Sequence, residues 1–452
     1  MEAIAVIAIF DVGKTNKKTF LFDERYKIVY EKTDQFPQTT DEDGDPCEDL
    51  DLLTKWCLDA FANLSTMSAY SVKAINFSAY GASFVHINTD GKPILPLYNY
   101  LKNYPKALKE NFFREYGGEQ SVSKSTASPV LDSLNSGLQL YRLKYEKRLL
   151  SSHGYSLHLP QYLSYLITKQ VYSDITSIGC HTMLWDFTKQ RYHEWVAKEG
   201  IQERLAPLFA CDEVITQNGI VTGVGLHDSS AALIPYLAAF HQPFILISTG
   251  TWCISLNPFN ECPLTAEELE KDCLCYMTYQ GMPVKASRLF AGQEHELQIK
   301  LLAAHFNKQN NYYETVYYNQ ETIKYLKNTF VTEADAIFSP GPSAFERRNV
   351  GAFRNYEEAY HQLIMDIIHQ QVQSTQLIMQ GKTVKRLFVD GGFSKNPIYM
   401  NLLAVFFPEV EVYAASVAQA TAMGAALSVH RHWNKRDIPA DLIDLKYYAS
   451  AQ

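Results

Sequence analysis

Paired cysteines, basic runs and long apolar stretches are all missing from this sequence. Eight cysteines are scattered over 452 residues, at positions 47, 57, 180, 211, 253, 262, 273 and 275, and none forms a Cys-x-x-Cys unit. That pattern signals neither a zinc centre nor a disulfide framework, and free thiols suit a reducing compartment. Lys+Arg total 41 against 49 Asp+Glu, a net charge of -8, so the positive face of a nucleic-acid binder is lacking. No run of about 18 apolar residues occurs, so no membrane span is expected. The opening "MEAIAVIAIFDVGK" has an acidic second residue and a short apolar run, which does not read as a secretory leader. A soluble, cytoplasmic protein is the expectation. What is present is ordinary globular composition, 46% apolar and 20% charged. The length exceeds one core and predicts two large domains, or three.

Residues 3–10, "KTFLFD" and "YKIVYEKT" read as an antiparallel meander. The acidic loop "TDEDGDPCED" precedes a helical pattern, "LDLLTKWCLDAFANL", and "VKAINFSAYGASFVHINTDGKPI" returns to strands with a turn at "NTDGKP". Residues 104–207 read as mostly helical, with loops near "SPVLDSLNSG" and "LPQYLSYLITKQVYSD". The aromatic run "YYETVYYNQETIKYL" reads as one inward-packing helix face. From Ile220 a second β-rich part begins: "IVTGVGLHDSSAAL" is strand, turn, helix, and "FILISTGTWCISLN" is strand, Gly turn, strand. The latter repeats the plan of "IAIFDVGKTNKKTFLFD". "VKRLFVDGGFSKN" is a further strand ending in Asp-Gly-Gly ahead of a helix. Two similar halves with a cleft between them make a natural ligand site.

Each hairpin tip carries a glycine, and a glycine-containing tip lets backbone N–H groups face an anion. Two such tips can hold a polyphosphate from both sides. Asp11, at the end of the first apolar run, is placed either to meet a Mg²⁺-bound phosphate or simply to cap an ordinary turn. Asp228 stands just before a small-residue helix start, where a carboxylate is most often a cap. It also lies about twenty residues ahead of the second hairpin tip, where it can accept a hydroxyl proton as that hydroxyl attacks a γ-phosphate. Trp252 is either packing or a sugar wall. Arg288 either pairs with a carboxylate or ligand, or stays solvated. His181 and His227 lack a further ligand at metal spacing.

Taken together these segments resemble the FGGY family of carbohydrate kinases, in the sugar kinase/actin/heat-shock ATPase superfamily, from about residue 5 to 430. Asp11-Val12-Gly13 with Thr15 and Lys18 resembles the first phosphate motif, "ISTGTW" the second, and "GLHDSSAA" the segment with the catalytic Asp. "LFVDGGFSKNP" and "AQATAMGAAL" resemble the adenosine-side segments. Within the family the likeness is nearest to rhamnulokinases, with fuculokinases next, through "HDSSAA", "STGTW", "YGASF" and "FSPGPSAF". Lys14 stands where a small residue is usual, Phe393 where Gly is usual and Ser83 where an Asp is usual, and "LYNYLKNYP" lacks the family's Asp and Arg.

The resemblance implies an α/β fold of two actin-like (ribonuclease H-like) domains around a cleft, residues 1–219 on the sugar side and 220–452 on the nucleotide side, the last helix returning to the first domain. It implies ATP and Mg²⁺ as cofactors, a sugar substrate, no nucleic-acid or membrane partner, and a homodimer. The activity implied is phosphorylation of a ketose on a primary hydroxyl, L-rhamnulose first, with L-fuculose, xylulose or ribulose as alternatives. A sugar sensor without catalysis and an ATPase switch are the readings from other classes. Asp11 is assigned to the metal and Asp228 to the base. Gly13, Lys14, Thr15, Lys18, Gly250 and Thr251 are assigned to the phosphates. Gly391, Gly392, Asn396, Gly424 and Ala425 are assigned to adenosine, and Tyr80, Gly81, Ser83, Phe84 and His227 to the sugar.

Overall fold

The computed structural model describes residues 3–149, 152–217, 219–330, 341–381 and 383–449. Strands Ile4–Val12, Lys17–Asp23 and Ile28–Asp34 form the expected antiparallel meander. Ile4–Val12 then pairs in parallel with Tyr70–Ala79, which pairs in parallel with Ile220–Gly223 and Leu226–His227. The second sheet repeats the plan. Pro283–Leu289, Cys253–Asn257 and Phe244–Thr249 run antiparallel, and Phe244–Thr249 continues in parallel to Arg386–Gly391 and Glu411–Ser416. The expected two-domain actin-like plan is therefore a duplication of one meander-plus-parallel unit.

The central strands Ile7–Phe10 and Phe244–Ile247 are wholly buried, as near-continuous apolar runs require. The helix over the first sheet spans Leu50–Leu64, with Asp49 capping it by accepting from the Leu52 N–H at 2.9 Å. A 24-residue helix, Tyr356–Met379, fills the core of the second domain. A further apolar cluster joins the two sheets through Leu226, Ala231, Phe388 and Ala426.

Three local expectations need correction. "LPQYLSYLITKQVYSD" is not a loop: Leu159–Thr168 is a helix, with Pro160 in its first turn and Leu159, Tyr162, Leu163 and Leu166 buried. "YYETVYYNQETIKYL" is not one helix: a short 3₁₀ turn at Tyr312–Thr315 is followed by extended backbone, and the α-helix begins at Gln320 with Asn319 as its cap. Tyr317 in that break is exposed. Strands Ile220–Gly223 and Leu226–His227 hydrogen-bond to the first sheet, so that sheet runs past residue 219 to His227. Of "FSPGPSAF", residues 338–340 lie outside the described residues, while Phe345 is buried in the second core.

Helix Ala420–Ser428 returns from the second domain to pack on helix Asp228–Ala239 and on strands Ile4–Val12 and Tyr70–Ala79. Gly424 makes this crossing close: a Cβ there would stand 1.8 Å from the Ala231 carbonyl oxygen. A Gly→Ala change inside a helix ordinarily stabilises, by up to about 1 kcal/mol. Here the sign should invert. Gly424→Ala is expected to lower unfolding free energy by about 1–3 kcal/mol through overpacking, read from the urea midpoint. A raised midpoint would mean that the two helices separate freely.

Candidate active site

Both hairpin tips are closed by a glycine N–H. The Gly13 N–H donates to the Asn16 carbonyl at 2.9 Å, and the Gly250 N–H to the Trp252 carbonyl at 2.9 Å. Thr15, Gly250 and Thr251 are exposed and Gly13 partly so. Gly292, at the head of helix Ala291–His305, lets that helix touch the second tip: a Cβ there would stand 1.8 Å from the Gly250 carbonyl oxygen. Nothing in the sequence around Gly292 signals this.

Asp11 ends the first strand, opposite Lys18 in the hairpin and Ser78 in the parallel neighbour. Its carboxylate accepts from the Thr421 hydroxyl at 2.9 Å. Burial pushes its pKa up to about 6; the charge of Asp228 acts in the same direction, and the Thr421 bond and Lys18 act against it. Lys18 spans the gap beside it, donating to Gln419 Oε1 at 3.1 Å with Glu31 at 3.8 Å. Thr421 and Gln419 lie in "AQATAMGAAL", whose spacing gave no hint that they reach back to the first hairpin.

Asp228 is the first residue of helix Asp228–Ala239. Its Oδ1 accepts from the Ser229 N–H at 2.6 Å and lies 3.1 Å from His227 Nε2. One carboxylate oxygen is thus held while the side chain stays one-third exposed. The strand–turn–helix geometry that sequence suggested is what aims it. Gly81 permits the neighbouring contact, because a Cβ there would meet the His227 ring at 2.7 Å. His227 stacks on Tyr276 and its ring centroid lies 6.1 Å from that of His181.

In the second domain a cavity of about 600 Å³ is lined by Gly250, Gly292, Gly392, Phe393, Asn396 and Tyr360, among others. Gly391 holds φ +92°, and a Cβ there would stand 1.9 Å from the Thr249 carbonyl oxygen, which explains a glycine at the end of this strand. Asn396 Nδ2 donates to the Tyr360 hydroxyl at 2.8 Å, and its Oδ1 caps helix Pro397–Phe406. Phe393 is buried in the wall, stacked on Tyr399 and edge-on to His295.

Other expected residues sit elsewhere. Gly424 and Ala425 are buried at the helix crossing described above and do not line this cavity, since close helix packing consumes both. Ser83 and Phe84 face the core: the Ser83 hydroxyl donates to the Tyr98 carbonyl at 3.3 Å and Phe84 stacks on His158 at 3.8 Å. Tyr80 is 6% exposed with its hydroxyl unpartnered among the described residues. Arg288 pairs through two nitrogens with Asp272, at 2.7 and 3.1 Å, and its guanidinium covers the Trp252 ring. Trp252 packs on Phe290 and is 40% exposed. Lys14 lies over two aromatic rings. Its ammonium stands 5.3 Å from the ring centres of both Tyr80 and Tyr100 and 3.7 Å from Glu48.

Residues 6–228 match the profile "FGGY family of carbohydrate kinases, N-terminal domain" and residues 241–437 match "Carbohydrate kinase FGGY, C-terminal domain". A search of curated protein sequences finds no significant match. Among solved structures, a carbohydrate kinase from Novosphingobium aromaticivorans is similar at 20% identity and TM-score 0.79, over 99% of this chain and 94% of that one. A ligand-bound xylulose kinase from Lactobacillus acidophilus is similar at 16% identity and TM-score 0.80, over 99% and 94%. A gluconate kinase from the same organism is similar at 16% identity and TM-score 0.78, also over 99% and 94%. At these identities the likeness speaks for the fold. With both domain profiles matched in order, on a duplicated actin-like fold with two glycine-tipped hairpins, this chain belongs to the FGGY family of carbohydrate kinases and is an ATP-dependent sugar phosphotransferase.

Proposed function

We propose that the chain transfers the γ-phosphoryl group of ATP to the primary hydroxyl of a ketose, with Asp228 as general base. The observation that carries this is Asp228 itself: a partly exposed carboxylate, fixed through one oxygen by its own helix N-terminus and by His227, within electrostatic reach of Asp11. A hydroxyl bound against the free oxygen loses its proton as it attacks phosphorus. Positioning and charge neutralisation supply most of the rate in such transfers. The backbone at Gly13 and Thr15 and at Gly250 and Thr251 would hold the phosphates. The cavity beside Gly392 and Asn396 would take adenosine, with Phe393 as an apolar wall.

Asp11 suits Mg²⁺, which favours one or two carboxylates together with phosphate oxygens and water. The fit rests on its chemistry here: a carboxylate whose charge is disfavoured by burial and by a second carboxylate gains most from a cation. The bound ion would neutralise phosphate charge, and Asp11 and the Thr421 hydroxyl would fix its side of the site.

The acceptor we assign is L-rhamnulose, giving L-rhamnulose 1-phosphate, on the likeness of "HDSSAA" and "STGTW" to rhamnulokinase motifs. Xylulose kinases among the structural neighbours favour testing xylulose beside it, with L-fuculose and ribulose. The test is sugar-dependent ADP release with MgATP over that panel. A rate with one ketose confirms reaction and acceptor together. ADP release that no sugar raises would overturn the ketose assignment and favour a sugar sensor.

A further inference from the structure

The charges around Glu48 do not balance. Glu48 is 5% exposed and takes the buried Lys17 ammonium at 2.9 Å on one oxygen. Lys17 also donates to the Lys14 carbonyl at 3.0 Å, which fixes the backbone of the tip. The other Glu48 oxygen is 3.7 Å from the Lys14 ammonium, beyond hydrogen-bond length. Two cations therefore share one carboxylate, and the Lys14 ammonium has no hydrogen-bond acceptor among the described residues. It lies instead over two aromatic rings, Tyr80 and Tyr100, which meet edge-on at 5.8 Å.

These rings belong to the wall that carries the base. Tyr80 precedes Gly81, whose backbone abuts His227, and Tyr100 lies within electrostatic reach of Asp228. The Tyr100 loop is clasped from below. Lys102, 7% exposed, binds Asp41, Asp43 and Asp45 at 2.5, 2.7 and 3.1 Å, and Leu97 bridges to Glu48. Lys14, Glu48, Tyr80 and Tyr100 thus form one constellation, built from four separate segments.

We infer that Lys14 reads the acceptor sugar rather than the nucleotide: its ammonium donates to a hydroxyl oxygen of a polyhydroxylated chain whose C–H face lies on the half-buried Tyr100 ring, with buried Tyr80 backing it. The chemistry matches, since carbohydrates offer vicinal hydroxyls to a paired cation and carboxylate, and C–H edges to aromatic rings. This rests on the ketose kinase reading above, and Lys14 becomes a specificity residue for that reaction.

The test uses the full chain, with L-rhamnulose, L-fuculose, xylulose and ribulose as acceptors in ADP release and MgATP in calorimetry. Lys14→Met keeps the side-chain stem and removes the charge; Tyr100→Leu removes one ring from a different segment. Both variants are expected to raise acceptor KM, Lys14→Met by about 10–100-fold, the range for a lost hydrogen bond to a charged group. The Kd of MgATP should be unchanged. A weaker MgATP Kd with unaltered acceptor KM in Lys14→Met would overturn the inference and place the ammonium on the phosphates. Wild-type turnover with unaltered acceptor KM in both variants would overturn it while leaving the kinase reading intact. No wild-type turnover with any of the four ketoses would overturn the ketose reading, and this inference with it.

Discussion

Asp228→Asn is expected to lower kcat by about 10²–10⁴-fold, the usual worth of a positioned general base, while MgATP binds as before. The substitution is conservative for structure. An asparagine Oδ1 can still accept from the Ser229 N–H and His227 Nε2, so the head of the helix keeps its bonds. Residue 228 is not among the residues lining the cavity proposed for adenosine, which include Gly250, Gly392 and Asn396. Only the capacity to take a proton from the attacking hydroxyl is lost. ADP release and MgATP calorimetry on one preparation separate the two. Normal turnover in the variant would remove Asp228 from the mechanism and return it to a helix cap.

Asp11→Asn should give an inactive but more stable protein at neutral pH. The activity loss, about 10²–10³-fold, is what several kcal/mol of metal-assisted charge stabilisation amounts to. The stability gain follows from the sign of the titration. The Asp11 pKa is raised from 3.8 to about 6 in the folded chain, so the native state holds a proton that the unfolded state gives up more readily. Wild-type stability from this group is therefore full below pH 3.8 and declines as pH rises through about 6, by at most about 3 kcal/mol. Asparagine has no charge to desolvate and can still accept from Thr421. The variant's melting temperature should match the wild type near pH 4 and exceed it at pH 8. A variant that melts lower at pH 8 would show that ionised Asp11 is well compensated by its neighbours.

Both predictions depend on parts of the molecule that differed in legibility. The hairpins, the Leu50–Leu64 helix and the Asp228 turn were readable because their signals are local: alternating or continuous apolar residues, a capping Asp, a glycine at a tip. Leu159–Thr168 was misread because proline and polar residues look like a loop until one sees that Pro160 falls in the first turn, where it costs no hydrogen bond. The tyrosine-rich stretch failed for the opposite reason. Its apolar spacing resembles a helix, but the cap at Asn319 starts the helix late. In the site, the residues next to Asp11 in space come from helix Ala420–Ser428, and no local pattern in either segment encodes that meeting. Ser83 and Phe84 are assigned by position in a motif, and their packing against Tyr98 and His158 has no local signal in the sequence.

The bond between Thr421 and Asp11 has a consequence for how the protein is made. Its two ends are 410 residues apart, so the first hairpin leaves the ribosome long before the helix that carries Thr421. Until that helix docks, the strand carrying Asp11 lacks the cover of helix Ala420–Ser428 and the Thr421 hydroxyl. The Thr421 hydroxyl reaches Asp11 only after residue 421 has been synthesised. Nascent chains stopped short of residue 421 would therefore carry the first hairpin without the hydroxyl that holds the Asp11 carboxylate.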